Sequence, residues 1–89
     1  MSPEYDVVLT KTAEKELKGL HPRVREQVRR RLLELETRPR PHDIKRIRGT
    51  EQDYRIDSGE YRILYEVDDS QKRIEVWRIA HRKDVYRNL

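Results

Sequence analysis

The chain has 89 residues, 34% hydrophobic and 43% charged, with no cysteine and a net charge of +4. That fits one domain spanning residues 1–89, near the size at which a hydrophobic core is only just sufficient. It excludes a disulfide framework and a thiolate metal site, and no apolar run approaches the roughly 18 residues of a membrane span.

The first segment, 1-MSPEYDVVLTKT-12, lacks the charged start and apolar stretch of a signal peptide, so a cytoplasmic protein is the simplest expectation. Within it Tyr5–Leu9 reads as a strand. Thr10 offers an N-cap, and Ala13, Leu17 and Leu20 recur at helical spacing up to a stop at Gly19-Leu20. Pro22 suits the first position of a second helix, in which Val24, Val28, Leu32 and Leu35 form an apolar stripe joined by Leu33. The helix start takes His21, and the run 29-RRR-31 reads as a solvated face available to nucleic-acid phosphates or acidic side chains. The Pro-rich stretch 37-TRPRPH-42, which includes His42, must be loop. Ile44–Arg48 reads as a strand, 54-YRIDSGEYRILYEV-67 as a hairpin, Arg73–Ala80 as a last strand with Trp77 in the core, and Arg82–Leu89 as a tail of a turn or two.

The order, β-α-α-β-β-β, predicts an α+β fold in which an α-hairpin covers one face of an antiparallel sheet and a short tail or helix follows. With Ser58-Gly59 as the hairpin loop, cross-strand partners have numbers adding to 117. That register puts Tyr54, Ile56, Tyr61, Ile63, Tyr65 and Val67 on the core side. Arg55, Arg62, Leu64 and Glu66 go to the open side, with Arg55 opposite Arg62. Like charges facing each other destabilise a sheet, so the pair needs a reason.

The chain has 15 Arg against 6 Lys, and the planar guanidinium fork binds phosphate in pairs of hydrogen bonds. A polyanionic partner is therefore expected. Lys45, Arg46 and Arg48 lie just before the hairpin, and His81, Arg82 and Tyr86 just after the last strand. Guanidiniums beside a phenol and an imidazole suit a phosphodiester that is bound and attacked. The three scattered histidines have no metal-ligand spacing.

Taken together, 45-KRIRG-49, 54-YRIDSGEYRILYEV-67 and 81-HRKDVY-86 resemble the RelE/ParE superfamily of toxins from bacterial and archaeal toxin–antitoxin pairs. The resemblance implies a RelE-like microbial ribonuclease fold and a ribosome-dependent endoribonuclease, or mRNA interferase, that stops translation. Cleavage would proceed by 2′-hydroxyl attack without metal or small-molecule cofactor. The implied partners are mRNA, the ribosome with its rRNA, and a cognate antitoxin, here an acidic amphipathic segment; no membrane is implied. It gives Arg62 to the phosphate, Arg82 to the leaving group, Tyr86 to the substrate base and Arg55 to a basic position of the site. Asp57 departs from the family pattern, in which a basic residue is common, and His81 is the expected general base. The superfamily also holds non-nucleolytic toxins that inhibit DNA gyrase, which is the alternative activity. A basic nucleic-acid-binding module without catalysis is a third.

Overall fold

The computed structural model describes residues 4–86. Its elements are β1 (Asp6–Leu9), α1 (Lys11–Lys18), α2 (Pro22–Thr37), β2 (Lys45–Arg46), β3 (Asp53–Ser58), β4 (Tyr61–Asp68) and β5 (Arg73–His81). Local chemistry starts both helices. Thr10 accepts a hydrogen bond at Oγ1 from the Ala13 amide (3.2 Å), and His21 accepts one at Nδ1 from the Arg23 amide (3.2 Å) ahead of Pro22.

The sheet order is β1-β5-β4-β3-β2. The five strands are the five segments read from the sequence, one more than the order β-α-α-β-β-β counts. The sheet is mixed rather than antiparallel, because β1 pairs in parallel with β5. The chain leaves β1 through two helices and returns at the far edge as β2, and three antiparallel reversals then bring β5 back beside β1 on the same heading. The expected strand Ile44–Arg48 shortens to Lys45–Arg46, since the chain turns at Gly49, which takes φ +89°.

The hairpin register differs from the expected one. Partners add to 119: Tyr54 faces Tyr65, Ile56 faces Ile63 and Asp57 faces Arg62, with Gly59-Glu60 as the loop and Gly59 at φ +59°. Arg55 faces Leu64, not Arg62. The slip is two residues, so it changes partners without changing faces; a slip of one would have exposed the core.

One face of the sheet packs with the helices into a core. Val28, Leu32 and Leu35 of α2, Ala13 of α1, and Tyr54, Ile56, Ile63, Tyr65, Val67, Ile74, Val76 and Ile79 of the strands build it. Leu33 leaves the expected stripe and is 63% exposed. Arg31 also departs from the solvated face expected of its run: it bonds Glu34, Asp43 (2.7 Å) and the Asp57 carbonyl.

In β5 the buried positions run Ile74, Val76, Ile79, a spacing of two and then three. A β-bulge accounts for the change: Tyr65 pairs with Val76 but Leu64 with Arg78, leaving Trp77 as the extra residue. Trp77 is consequently not a core residue. It is half-buried and donates its indole N–H to Asp53 Oδ1 (3.2 Å).

A polar clamp supplements the thin core. Arg40 donates twice to Asp69 (3.2 and 2.8 Å) and once to the Tyr54 hydroxyl (3.1 Å), while the Tyr5 hydroxyl donates to Asp69 (2.6 Å). The Arg40 and Tyr5 hydrogen bonds hold the Asp69 carboxyl at about 2. A carboxyl depressed in the folded state contributes stability that is complete above its unfolded value, roughly 3.9, and that is lost as pH falls through the folded value. Melting temperatures of the parent and of Asp69→Asn are expected to differ near neutrality, with the parent higher. They should converge as pH drops from about 4 toward 2, as followed by circular dichroism.

Candidate functional site

The open face of the sheet is organised in cross-strand rows. Asp53, Glu66 and Glu75 form an acidic row. The next row reads Lys45, Arg55, Leu64 and Arg78, and beyond it come Asp57, Arg62 and Ala80. A like-charged cross-strand pair does exist, but it is Lys45 with Arg55, one strand away from the expected place.

The segment after β5 turns back over this face. The Asp84 and Val85 amides both donate to the His81 carbonyl (2.8 and 2.9 Å), making a single turn; residues 87–89 of the expected tail lie outside the described residues. Arg78 secures the turn from below, with Nη2 donating to the Asp84 carbonyl (3.3 Å) and Nε 3.3 Å from Glu16 of α1. Glu16 also accepts the Ile79 amide (2.8 Å). Leu64 and Val85 are fully buried yet stand outside the main core, a small second apolar patch on the tail side.

This folding back brings Tyr86 to the arginines. Arg55 Nη1 donates to the Tyr86 hydroxyl (2.8 Å), and the Arg62 guanidinium sits 5.9 Å from the centre of the Tyr86 ring. The phenol is thus fixed at its oxygen and at its face, while 44% of the residue stays exposed. Arg62 is largely enclosed, its side chain 22% exposed, with Nε 3.3 Å from Asp57 Oδ1. That Nε is buried and makes no hydrogen bond, an unusual state for a charged donor. Arg46, Ile47, Arg48, Arg55 and Tyr86 line an adjoining cleft of about 390 Å³. Arg46 pairs with the core-facing Tyr54, so it stands on the helix side of the edge strand even as it lines the cleft, whereas Lys45 lies in the Arg55 row.

Arg82 joins the face through its backbone: its amide donates to the Glu60 carbonyl (2.8 Å), extending the β4–β5 ladder by one step. Its guanidinium pairs with Glu60 Oε2 at 2.7 Å. His81 does not join. It faces Tyr61 across the ladder, on the helix side, with its ring edge-on to the Tyr61 ring at 5.5 Å. Its Nδ1 accepts the Lys83 amide (3.1 Å), so in the neutral ring the other nitrogen carries the proton and no lone pair remains for a general base. The extra residue at Trp77 is the cause, since it shifts the alternation of everything after it by one.

Asp53, Asp57 and Glu60 are the carboxylates that the sequence offers to relieve crowded arginines on this face. Asp57 and Glu60, both on the hairpin, are the direct ion partners of Arg62 and Arg82. Among the described residues no group of three His, Cys, Asp or Glu side chains is placed to hold a metal ion.

Residues 7–86 match the family model described as ParE toxin of type II toxin–antitoxin system, parDE. The Methanocaldococcus jannaschii protein named RelE1 is 31% identical over 88 residues, covering 96% of this chain and 98% of that one. Among solved structures, the archaeal RelE–RelB complex from Pyrococcus horikoshii aligns with a TM-score of 0.80 at 26% identity, over 92% of this chain and 99% of that one. The intact Escherichia coli RelBE toxin–antitoxin complex aligns with a TM-score of 0.77 at 32% identity, over 86% and 95%.

Because Tyr86 is held at two points, removing one should be tolerated by the fold. Tyr86→Phe is expected to lower the thermal midpoint by only a few degrees, the lost bond being exposed and at the low end of the roughly 0.5–1.5 kcal/mol of a typical hydrogen bond. Leu64→Ala, which empties the small apolar patch, is expected to cost about 2–5 kcal/mol in urea unfolding.

Proposed function

From the family to which this chain belongs, the ParE toxins of type II toxin–antitoxin systems within the RelE/ParE superfamily, we propose that it acts as a RelE-type mRNA endoribonuclease on the translating ribosome. The chain is a RelE-like toxin of a toxin–antitoxin pair; the chemistry is the proposal. The observation that carries it is the Arg62 guanidinium, buried at Nε without a hydrogen bond, held beneath the ring of a half-exposed tyrosine whose oxygen is tied to a second arginine. A desolvated donor without an acceptor is a seat for an anion.

In the proposed reaction a ribose 2′-oxygen attacks the adjacent phosphorus and loses its proton. The bond from phosphorus to the 5′-oxygen breaks, and that oxygen takes up a proton. Negative charge grows on the non-bridging oxygens between attack and departure. Arg62 stabilises that charge, Arg82 stands one ladder step away toward the leaving oxygen, and the Tyr86 ring offers a stacking surface for a base. Lys45, Arg46 and Arg48 extend the cationic surface for RNA, supplying affinity rather than chemistry. The ribosome contributes what a small open face lacks, namely a strand held in a fixed path.

The partner is a cognate antitoxin, supported by the solved complexes of RelE relatives with RelB. The +4 charge favours an acidic segment. Cytoplasmic action follows from a ribosomal target, and no helix among the described residues is long and apolar enough to cross a membrane. The second reading, gyrase inhibition, draws on the ParE name of the matching family model. It requires no assembled phosphate seat.

Mapping of mRNA ends in a translation extract supplied with the purified protein separates the two. Cuts inside ribosome-occupied codons are expected. Intact mRNA with arrested DNA supercoiling would move the assignment to gyrase. Arg62→Ala is expected to fold normally and to cut about 100- to 1,000-fold more slowly.

A further inference from the structure

Both arginines assigned to the phosphate already carry an anion from the chain itself. Asp57 stands directly opposite Arg62 in the hairpin ladder, and Glu60 lies opposite Arg82 in the step that extends the ladder. The distances are 3.3 Å for Arg62 Nε to Asp57 Oδ1 and 2.7 Å for Arg82 Nε to Glu60 Oε2. The four residues therefore come from one hairpin and the strand end beside it. Neither carboxylate is consumed elsewhere through its side chain among the described residues, since the Arg31 contact goes to the Asp57 backbone carbonyl. The Asp57 pair also has the distance of an ion pair without the angle of a hydrogen bond, so Arg62 is neutralised but not saturated.

We infer that Asp57 and Glu60 are built-in counter-ions that set the specificity of this face, occupying the arginines where a phosphate would sit and suppressing capture of free single-stranded RNA. The inference rests on the assignment of Arg62 and Arg82 to phosphate. The carboxylate side chains are 57% and 60% exposed, so each pair is weak and can be displaced. A strand delivered by a larger assembly arrives at a high effective concentration and displaces them; a strand in solution meets a face whose charge is already balanced. The same arrangement accounts for an acidic residue at position 57, where a further cation would strengthen binding to any RNA. Without these pairs, Lys45, Arg55, Arg62 and Arg82 would form an uncompensated basic strip beside the cleft.

The test measures binding, not cleavage. The probe is a single-stranded RNA of about ten nucleotides with every 2′-hydroxyl methylated, titrated into the intact chain by fluorescence anisotropy across a salt series. Asp57→Asn and Glu60→Gln are each expected to tighten binding about two- to fivefold at low salt, the range of an exposed ion pair. The slope of log affinity against log salt should steepen by about 0.7 for each arginine released. The gain from Asp57→Asn should vanish when Arg62→Ala is added, and the gain from Glu60→Gln when Arg82→Ala is added. Unchanged or weaker binding in both carboxylate variants would overturn the inference. So would a gain that survives loss of the paired arginine, because charge alone would then explain it. A chain that binds as expected but cuts no ribosomal mRNA would fail the proposed activity and leave this inference standing. Glu60 lies in an exposed turn, so its variant remains informative should a change at Asp57 disturb the hairpin.

Discussion

The organisation of the open face depends on one extra residue. Trp77 widens β5 by a single position, and from there on the alternation of that strand is reversed relative to its start. Ile79 returns to the core because of it, and Arg78, Ala80 and the Arg82 backbone step come to the open side. Without the bulge, position 78 would point into the core, where a guanidinium has no place, and position 79 would expose an isoleucine. The burial of Ile74, Val76 and Ile79 together fixes the bulge, and the bulge fixes which of the last strand's polar residues reach the tail. Asp53 receives the indole N–H that the irregularity turns outward, so a buried polar group does not go unpaired.

Charge on this face is sorted by row. The acidic row of Asp53, Glu66 and Glu75 lies at one end, and the cationic rows at the other, toward the hairpin loop. The Lys45–Arg55 juxtaposition survives because Arg55 has another use for its charge: it donates to Tyr86, and Lys45 is exposed enough to be screened. Opposed cations at a sheet edge are tolerable where both heads reach water or an acceptor. The site is then held from two directions, Arg55 at the phenol oxygen and Arg62 at the ring, while Arg78 anchors the turn that carries Tyr86.

Much of this was legible in the sequence, and each failure has its own physical cause. Helix starts at Thr10 and Pro22 follow from single residues acting locally, and the faces of the hairpin follow from parity, which a two-residue slip preserves. The register itself was not decidable from turn chemistry, because Ser58-Gly59 and Gly59-Glu60 are both acceptable loops. Cross-strand pairing decided it, matching Ile56 with Ile63 and Asp57 with Arg62. His81 was misplaced because it was read as lying just past a strand ending at Ala80, whereas β5 runs to His81 and the extra residue at Trp77 turns it to the helix side. A signal of the irregularity was present: 74-IEVWRI-79 has apolar residues at spacing two and then three, incompatible with an unbroken strand. The parallel pairing of β1 had no local signal, being a property of the whole strand order, in which the last strand ends beside the first.

The arginines of this chain divide by what they touch rather than by where they lie in the sequence. Arg31 and Arg78 are 20% and 18% exposed at the side chain, about as enclosed as Arg62. Arg31 joins α2 to the following loop and to β3, and Arg78 joins α1 to the final turn. Each spans elements that a larger core would have glued with apolar contacts, and in a chain this short the guanidinium stem and fork supply both packing and bonding. Arginine content is therefore a poor measure of function here, since the fold itself draws on it. Nε of Arg78 is likewise buried without a hydrogen bond, but Arg78 bonds through Nη2 to the Asp84 carbonyl; Arg62 is set apart because its enclosure comes with no such bond among the described residues. Its surroundings remove water from the guanidinium and return only an off-angle carboxylate and the face of a ring. A group desolvated without a matching structural return binds an incoming anion more strongly than an exposed arginine would, and that difference, not the count of cations, locates the site.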